Sequence, residues 1–368
     1  MYHYFFILFL LVFVCKTSNS QSIDSLVVDS LLINSELNFT DSISNLNEKN
    51  KLLLSSRNAY NKGLEFVLNN DIDKAIDSFT KAITIDPDFS SAYFERANCY
   101  DEKNDELAIS DYSTAFSLDS SNFSPLFKIA RIQSKTDKVI AKNTYNKILL
   151  LDPEQWKAYY EIGVLLYLGE EIENAIASFS SALEINKDAR TFNDRASCYR
   201  KLENYDEAIK DYLLAIKLNS NLAFIYNNLA STYRKQNNTE KAISYYTLAI
   251  SKDASYVLAY NNRGSLQIDL GNIPEALADI EKAISLDENY APAYNNRGVI
   301  HHINKKYDKA LTDFDKSIII DIKYAKAYLN RGITRQMTRD EDGACSDWLK
   351  AKALGIKLAN KYLVKDCE

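Results

Sequence analysis

The hydrophobic pattern of this chain is helical, and it recurs at a fixed interval. Nine alanines occur 33 or 34 residues apart; an aromatic side chain follows four residues later in eight of nine cases, and another alanine seven residues later in seven of nine. Such spacings place these side chains on one face of an α-helix. The nine anchoring alanines, which define repeats one to nine, are Ala75, Ala108, Ala141, Ala175, Ala208, Ala242, Ala276, Ala310 and Ala344.

A second series of small residues precedes the anchoring alanines by eleven or twelve positions. These preceding small residues are Gly63, Ala97, Ala130, Gly163, Ala196, Ala230, Gly264, Gly298 and Gly332. Two helices can approach closely where both carry small side chains, and the aromatic residue fills the space between them. A period of about 34 residues with this content indicates stacked helix pairs, each packed on its neighbours.

The order of aromatic, small residue, anchoring alanine, aromatic and alanine resembles the tetratricopeptide repeat. The resemblance covers residues 52–356 in nine repeats and implies an all-α fold, a right-handed α-solenoid of stacked antiparallel helix pairs. The proline that usually closes a repeat in this family is kept only at Pro87 and Pro153. The last repeat contains Gly343-Ala-Cys-Ser-Asp-Trp348, of the form GACxDW. Repeat three, near residues 122–152, is the most degenerate, and we expect a distortion there.

The first twenty residues are of a different kind. Tyr4–Val14 is an apolar run too short to cross a bilayer and typical of a signal-peptide core, although no Lys or Arg precedes it. We predict a signal peptide over residues 1–20, export to the periplasm or the cell exterior, and no membrane span after cleavage. The rival interpretation, a lipid anchor on Cys15, is disfavoured because the three residues before it are not small.

The segments flanking the repeats are predicted to differ from each other. Residues 21–51 are rich in Ser, Asn and Asp and are interpreted as a flexible leader; apolar residues at helical spacing leave a short helix folding back on the first repeat as the alternative. Residues 357–368 are predicted to form a capping helix, which a solenoid needs at its end. Cys345 and Cys367 would meet if this cap folds back, so they are candidates for a disulfide in an exported protein.

Composition disfavours several functions. The net charge of −6 is mixed along the chain, so no basic stripe is present to neutralise phosphates, and nucleic acid is not an expected partner. His301 and His302 are adjacent, so they point about 100° apart on a helix and lack a third metal ligand. No glycine-rich phosphate loop or strained serine elbow occurs. We therefore predict no catalytic residues, cofactor, metal or small-molecule substrate.

Five repeats share a pair of charged residues that the other four lack. An arginine stands just before the preceding small residue, and an aspartate stands three positions after the anchoring alanine. Because both residues are present or both absent, we predict ion pairs that join the two helices of a repeat and serve structure. The pairs are Arg96–Asp111, Arg195–Asp211, Arg263–Asp279, Arg297–Asp313 and Arg331–Asp347.

The last four repeats carry asparagine two positions before the preceding small residue. These are Asn228, Asn262, Asn296 and Asn330, with Asn227, Asn261 and Asn295 beside them. The column resembles the asparagine ladder in the concave groove of the tetratricopeptide superhelix of the O-linked N-acetylglucosamine transferase. That resemblance implies a grip on the backbone of an extended peptide, since an amide side chain both donates and accepts. The alternative is that asparagine is common at this family position.

Two functions follow from these features. The first is a non-enzymatic scaffold that binds an extended peptide or partner protein in its concave groove. The alternative is an architectural subunit of a cell-envelope or secretion complex that uses its convex face or termini. Binding of chaperone carboxyl termini is disfavoured, because Tyr60 and Leu64 stand where that clamp needs Lys and Asn.

Overall fold

A computed structural model describes residues 25–101 and 103–367, and every regular element in that part of the chain is an α-helix. The predicted signal peptide and Cys15 lie outside the described residues. The helices, labelled in chain order, are α1 Ser25–Leu68, α2 Ile72–Ile85, α3 Ser90–Tyr100, α4 Asp105–Leu118, α5 Ser124–Gln133, α6 Lys138–Leu151, α7 Trp156–Leu168, α8 Ile172–Ile185, α9 Ala189–Lys201, α10 Tyr205–Leu218, α11 Ala223–Lys235, α12 Thr239–Lys252, α13 Val257–Asp269, α14 Ile273–Leu286, α15 Ala291–Ile303, α16 Tyr307–Ile320, α17 Ala325–Met337, α18 Glu341–Ala353 and α19 Ala359–Asp366.

The predicted fold class is confirmed: the helices pair and stack as in a tetratricopeptide solenoid. Each repeat contributes a first helix with the preceding small residue and a second helix with the anchoring alanine. The described residues divide into two compact units with a boundary between Gln133 and Ser134. This boundary falls inside repeat three, whose sequence pattern is the most degenerate.

The leader differs from its interpretation as flexible coil. Helix α1 begins at Ser25 and continues without interruption into the first helix of repeat one. No proline or glycine occurs between Ser25 and Gly63, and a helix that is already nucleated gains one hydrogen bond for each residue added. The described side chains between residues 42 and 55 are exposed. The helical alternative is therefore what the structure shows, although the segment extends repeat one instead of folding back on it.

The carboxyl-terminal end is closed by α19. This helix packs against α18, and the ring of Tyr362 stacks on that of Trp348 at a centroid distance of 5.0 Å. A disulfide joins Cys345 in α18 to Cys367, the residue after α19. The cap thereby covers the fully buried Trp348, which is the aromatic residue of the last repeat.

Close packing inside a repeat follows a rule that links two sequence positions. Where the preceding small residue is alanine, the aromatic residue of the second helix is always tyrosine; where it is glycine, that residue is Phe, Ile or Trp. The hydroxyl of Tyr246, for example, lies 2.9 Å from Ser231, the residue after Ala230. This hydrogen bond holds the Tyr246 ring in a position where the methyl group of Ala230 fits beside it. In the glycine repeats the Phe, Ile or Trp side chain lies directly over the glycine.

Gly298 is the clearest test of that rule. A Cβ atom at this position would lie 2.7 Å from Cε1 of Phe314, so Gly298→Ala forces the ring to move. We expect it to lower the free energy of unfolding by about 1–3 kcal/mol, the usual cost of overpacking a core. Adding Val299→Ser and Phe314→Tyr, which recreates the arrangement of repeat six, should recover part of that loss. Urea unfolding measures both; a triple variant no more stable than the single one would contradict the rule.

Candidate functional site

The asparagines of repeats six to nine form one continuous hydrogen-bonded series. Each asparagine of the column donates its side-chain amide to the side-chain carbonyl oxygen of an asparagine in the preceding repeat. The donor-to-acceptor distances are 3.0 Å for Asn228 to Asn193, 3.0 Å for Asn262 to Asn227, 2.8 Å for Asn296 to Asn261 and 2.9 Å for Asn330 to Asn295. The acceptors stand three positions before the preceding small residue. We call the donors ladder asparagines and the acceptors support asparagines.

The two sets differ in exposure. The support asparagines are 3–5% exposed, whereas the ladder asparagines are only partly buried. Support residue Asn193 was missed in the sequence, because repeat five has aspartate at the ladder position and breaks the Asn-Asn pair. The signal that could have found it was an asparagine 34 residues before Asn227.

The bonded ladder still has groups to offer a ligand. An asparagine amide has two N–H donors, and the bond to the preceding repeat uses one of them. Among the described residues, the side-chain oxygens of Asn228, Asn262 and Asn330 accept no hydrogen bond, and that of Asn296 accepts one from Asn295. Each ladder asparagine thus presents a donor and an acceptor in an orientation fixed by its neighbour.

The ladder lies on the inner side of the second compact unit. From α7 onward, the first helices of successive repeats contact one another. For example, α13 contacts α15, and α15 contacts α17. The second helices of successive repeats approach each other less closely. A stack that is tighter along its first helices curves toward them, so these helices line the concave face. The ladder asparagines belong to α11, α13, α15 and α17.

The five arginines each contact the aspartate of their own repeat through two hydrogen bonds. Nε and Nη2 donate to the two carboxylate oxygens at 2.6–2.9 Å. In repeat eight, the bond to Asp313 raises the pKa of Arg297. The aspartate carboxylates are buried, and such two-pronged pairs fix both distance and orientation between helices.

A third bond from most of these arginines reaches the repeat before. Arg195 Nη1 donates to Ser180 at 2.9 Å, Arg263 Nη1 to Thr247 at 2.9 Å, and Arg331 Nη1 to Asp315 at 2.6 Å. The acceptors stand five positions after the preceding anchoring alanine. The sequence analysis did not predict this contact. The feature that indicates it is a polar residue five positions after the anchoring alanine of the preceding repeat. The arginines therefore join neighbouring repeats as well as the two helices of one.

The two adjacent histidines have separate surroundings. His302 Nδ1 lies 2.9 Å from the hydroxyl of Thr334, and His301 Nε2 lies 3.7 Å from Asp313. Burial lowers the pKa of both imidazoles. Across residues 25–101 and 103–367, no group of His, Cys, Asp and Glu is arranged to hold a metal ion. In the same ranges, no helix is both long and apolar enough to cross a membrane.

Comparison with known proteins shows the same architecture elsewhere. The chain is 27% identical over 203 residues to the anaphase-promoting complex subunit cut9 of Schizosaccharomyces pombe, which covers 49% of this chain and 30% of that protein. The structure of the APC/C hetero-tetramer Cut9–Hcn1 is similar at a TM-score of 0.57 with 14% identity, covering 85% of this chain and 76% of that chain. Yeast Tom70 is similar at 0.52 with 15% identity, covering 90% and 91%.

These similarities define a family. The chain spans between about a fifth and a third of the length of the curated relatives it matches. Family models described as tetratricopeptide repeat match residues 56–89, 140–194, 187–253, 257–290 and 291–324, which together are more than half of the chain. On these matches and on its stacked helix pairs, the chain belongs to the tetratricopeptide repeat family.

Proposed function

We propose that this protein is a non-enzymatic scaffold that binds an extended segment of a partner protein along the ladder asparagines. The observation that carries the proposal is the bonded ladder itself. Four amides on one concave face each retain a donor and an acceptor, and their orientation is fixed before any ligand arrives. Preorganised polar groups lose little conformational entropy on binding.

The spacing of the ladder suits a peptide backbone. Packed helices lie about 8–10 Å apart, and an extended chain advances about 3.3 Å per residue. One ladder asparagine therefore serves about every third peptide residue. Because it contacts backbone N–H and C=O groups, this grip holds many sequences with similar strength.

Two further observations support the proposed kind of partner and the proposed compartment. Tetratricopeptide proteins bind protein or peptide partners, and cut9 is by name a subunit of a multiprotein complex. The Cys345–Cys367 disulfide is of a kind that persists in oxidising compartments, which supports the proposal of export. The proposal therefore includes export of the protein to the periplasm or the cell exterior.

The architectural alternative has one observation in its favour. Second helices carry large apolar side chains that are exposed, including Leu150 at 85% and Ile319 at 77%. Such residues on the outer helices would suit burial against a further subunit. This alternative requires no ligand in the groove, so peptide binding distinguishes the two.

The test is binding of the full chain to an unbiased peptide library. The variant changes Asn228, Asn262, Asn296 and Asn330 to Ala and is expected to lose peptide binding. Its matched control changes four exposed asparagines outside the ladder, Asn221, Asn289, Asn304 and Asn360, and should bind like the unaltered protein.

Because the ladder also joins repeats, the four-fold variant loses five side-chain hydrogen bonds of about 1 kcal/mol each. Circular dichroism must therefore show that it is folded. The single change Asn262→Ala removes one bond and should weaken binding several-fold in a protein of nearly unaltered stability. No binding by the unaltered protein, or equal binding by ladder and control variants, would refute the groove as the functional site.

A further inference from the structure

The ladder does not begin with asparagine. In repeats four and five, the ladder position is occupied by Glu161 and Asp194. The hydroxyl of Tyr160, at the support position of repeat four, donates to Asp194 Oδ2 at 2.9 Å. This bond joins the same two positions of neighbouring repeats as the asparagine bonds further along, but here the support position donates and the ladder position accepts. Asp194 is thus bonded to the preceding repeat as the ladder asparagines are, and Glu161 extends the series of ladder positions back to repeat four within the same compact unit.

Neither carboxylate forms an ion pair with another described residue, and the charge of Arg190 acts on Asp194 only from beyond contact distance. Asp194 accepts from two neutral donors, Tyr160 and the amide of Asn193, and Glu161 makes no hydrogen bond or ion pair. The basic residues one helical turn before Glu161 and Asp194, on the same helices, do not form ion pairs with them. Lys157 Nζ stands over the ring of Trp156 at 5.8 Å from its centroid, and the exposed Arg190 forms no ion pair.

The charge on these residues is not required by packing. Burial raises the pKa of Asp194 and of Glu161, so each carboxylate is held in surroundings that disfavour its ionised form. An asparagine at position 194 could accept from Tyr160 with its side-chain oxygen without any charge to desolvate. Asparagine holds that position in the next four repeats. A destabilising charge kept in a groove, where packing does not need it, indicates a role in binding.

We propose that the groove selects an extended segment that carries a lysine or arginine side chain, whose cationic group binds at Glu161 and Asp194 while its backbone follows the ladder asparagines. This inference rests on the proposed function and specifies the ligand. The distance from repeat five to repeat nine is four helix spacings, about 36 Å, which an extended segment of about eleven residues spans. The basic residue therefore lies near one end of the bound segment.

The test uses fourteen-residue peptides of Ser, Ala and Thr with blocked termini. One carries a single Arg near its amino end, one carries it near its carboxyl end, and a matched pair replaces that Arg with citrulline, which is neutral and nearly isosteric. We expect the Arg peptide of one polarity to bind about tenfold more tightly than its citrulline counterpart, as a charge-assisted bond would provide.

The variant Glu161→Gln/Asp194→Asn should bind all peptides with the affinity of the citrulline form. Its control, Glu171→Gln/Glu184→Gln, neutralises two exposed carboxylates of repeat four and should keep the tenfold preference. Asp194→Asn should also raise the melting temperature, because it removes a desolvated charge; a packing role for the carboxylate would lower it.

The outcomes separate this inference from the proposed function. If no peptide binds the unaltered protein, the groove is not a peptide site. Both the proposed function and this inference are then wrong. If Arg and citrulline peptides bind equally well, the groove remains a peptide site and the selection of a basic side chain is wrong. The same conclusion follows if the preference survives in Glu161→Gln/Asp194→Asn, or if an unblocked amino terminus replaces the requirement for Arg.

Discussion

Replacing Arg297 by methionine is expected to lower the free energy of unfolding by about 3 kcal/mol, since breaking a buried ion pair leaves an uncompensated charge. The side chain of Asp313 is 7% exposed and that of Arg297 27% exposed. Once the guanidinium is removed, the Asp313 carboxylate loses two charged donors at 2.9 and 2.7 Å and stays largely shielded from water. Urea unfolding followed by circular dichroism gives the value.

The double variant Arg297→Met/Asp313→Leu should be more stable than Arg297→Met alone, because it removes the stranded carboxylate as well. Strong non-additivity in this double-mutant cycle is the expected signature of direct contact. The exposed pair Lys210–Glu207 supplies the control, and its removal should change stability by less than about 0.5 kcal/mol. An additive cycle at Arg297 and Asp313 would show that the two side chains act independently.

Loss of the disulfide is the second large expected effect. Cys345→Ser/Cys367→Ser should lower the free energy of unfolding by about 3 kcal/mol, because the bond closes a loop with a sequence separation of 22 and restricts the unfolded chain. The loss should be greatest at the carboxyl-terminal end, where α19 is held against Trp348. Hydrogen exchange of α18 and α19, compared with that of α13, shows where protection is lost.

A reductant serves as the control for this variant. Dithiothreitol should destabilise the unaltered protein to the level of the serine variant and leave the variant unchanged. The two remaining described cysteines, Cys99 and Cys198, are buried free thiols, and burial raises their pKa to about 11 and about 12. They should react slowly with thiol reagents in the folded protein. If the unaltered protein, prepared without reductant, shows as many reactive thiols on unfolding as it does after reduction with dithiothreitol, the bond does not form.

The fold class could be predicted from sequence because its determining contacts recur. An anchoring alanine, the aromatic residue after it and the small residue before it keep nearly constant spacings in nine repeats, so chance agreement is excluded. The arginine and aspartate positions could be linked for the same reason, since their joint presence in five repeats and joint absence in four reflects one contact. The pairing of alanine with tyrosine and glycine with other apolar residues was equally visible and was overlooked.

The site was predicted less completely. The sequence identified the ladder asparagines and the neighbours at Asn227, Asn261 and Asn295, but it gave both sets the same role. The structure separates them: the neighbours are buried supports that accept the bonds, and the ladder asparagines are more exposed and donate them. That distinction depends on how far one repeat is rotated and shifted on the next, which no spacing within a single repeat expresses.

Sequence alone therefore determined what each repeat is: a helix pair, its internal contacts and its place in a series of nine. Only tertiary structure decided what lies between repeats. The bonds from Asn262 to Asn227 and from Arg263 to Thr247 depend on the stacking geometry, as does the bond from Tyr160 that brings Asp194 into the ladder. The physical reason is that contacts within a repeat are set by helix periodicity. Contacts between repeats are set by side-chain packing summed over a whole interface.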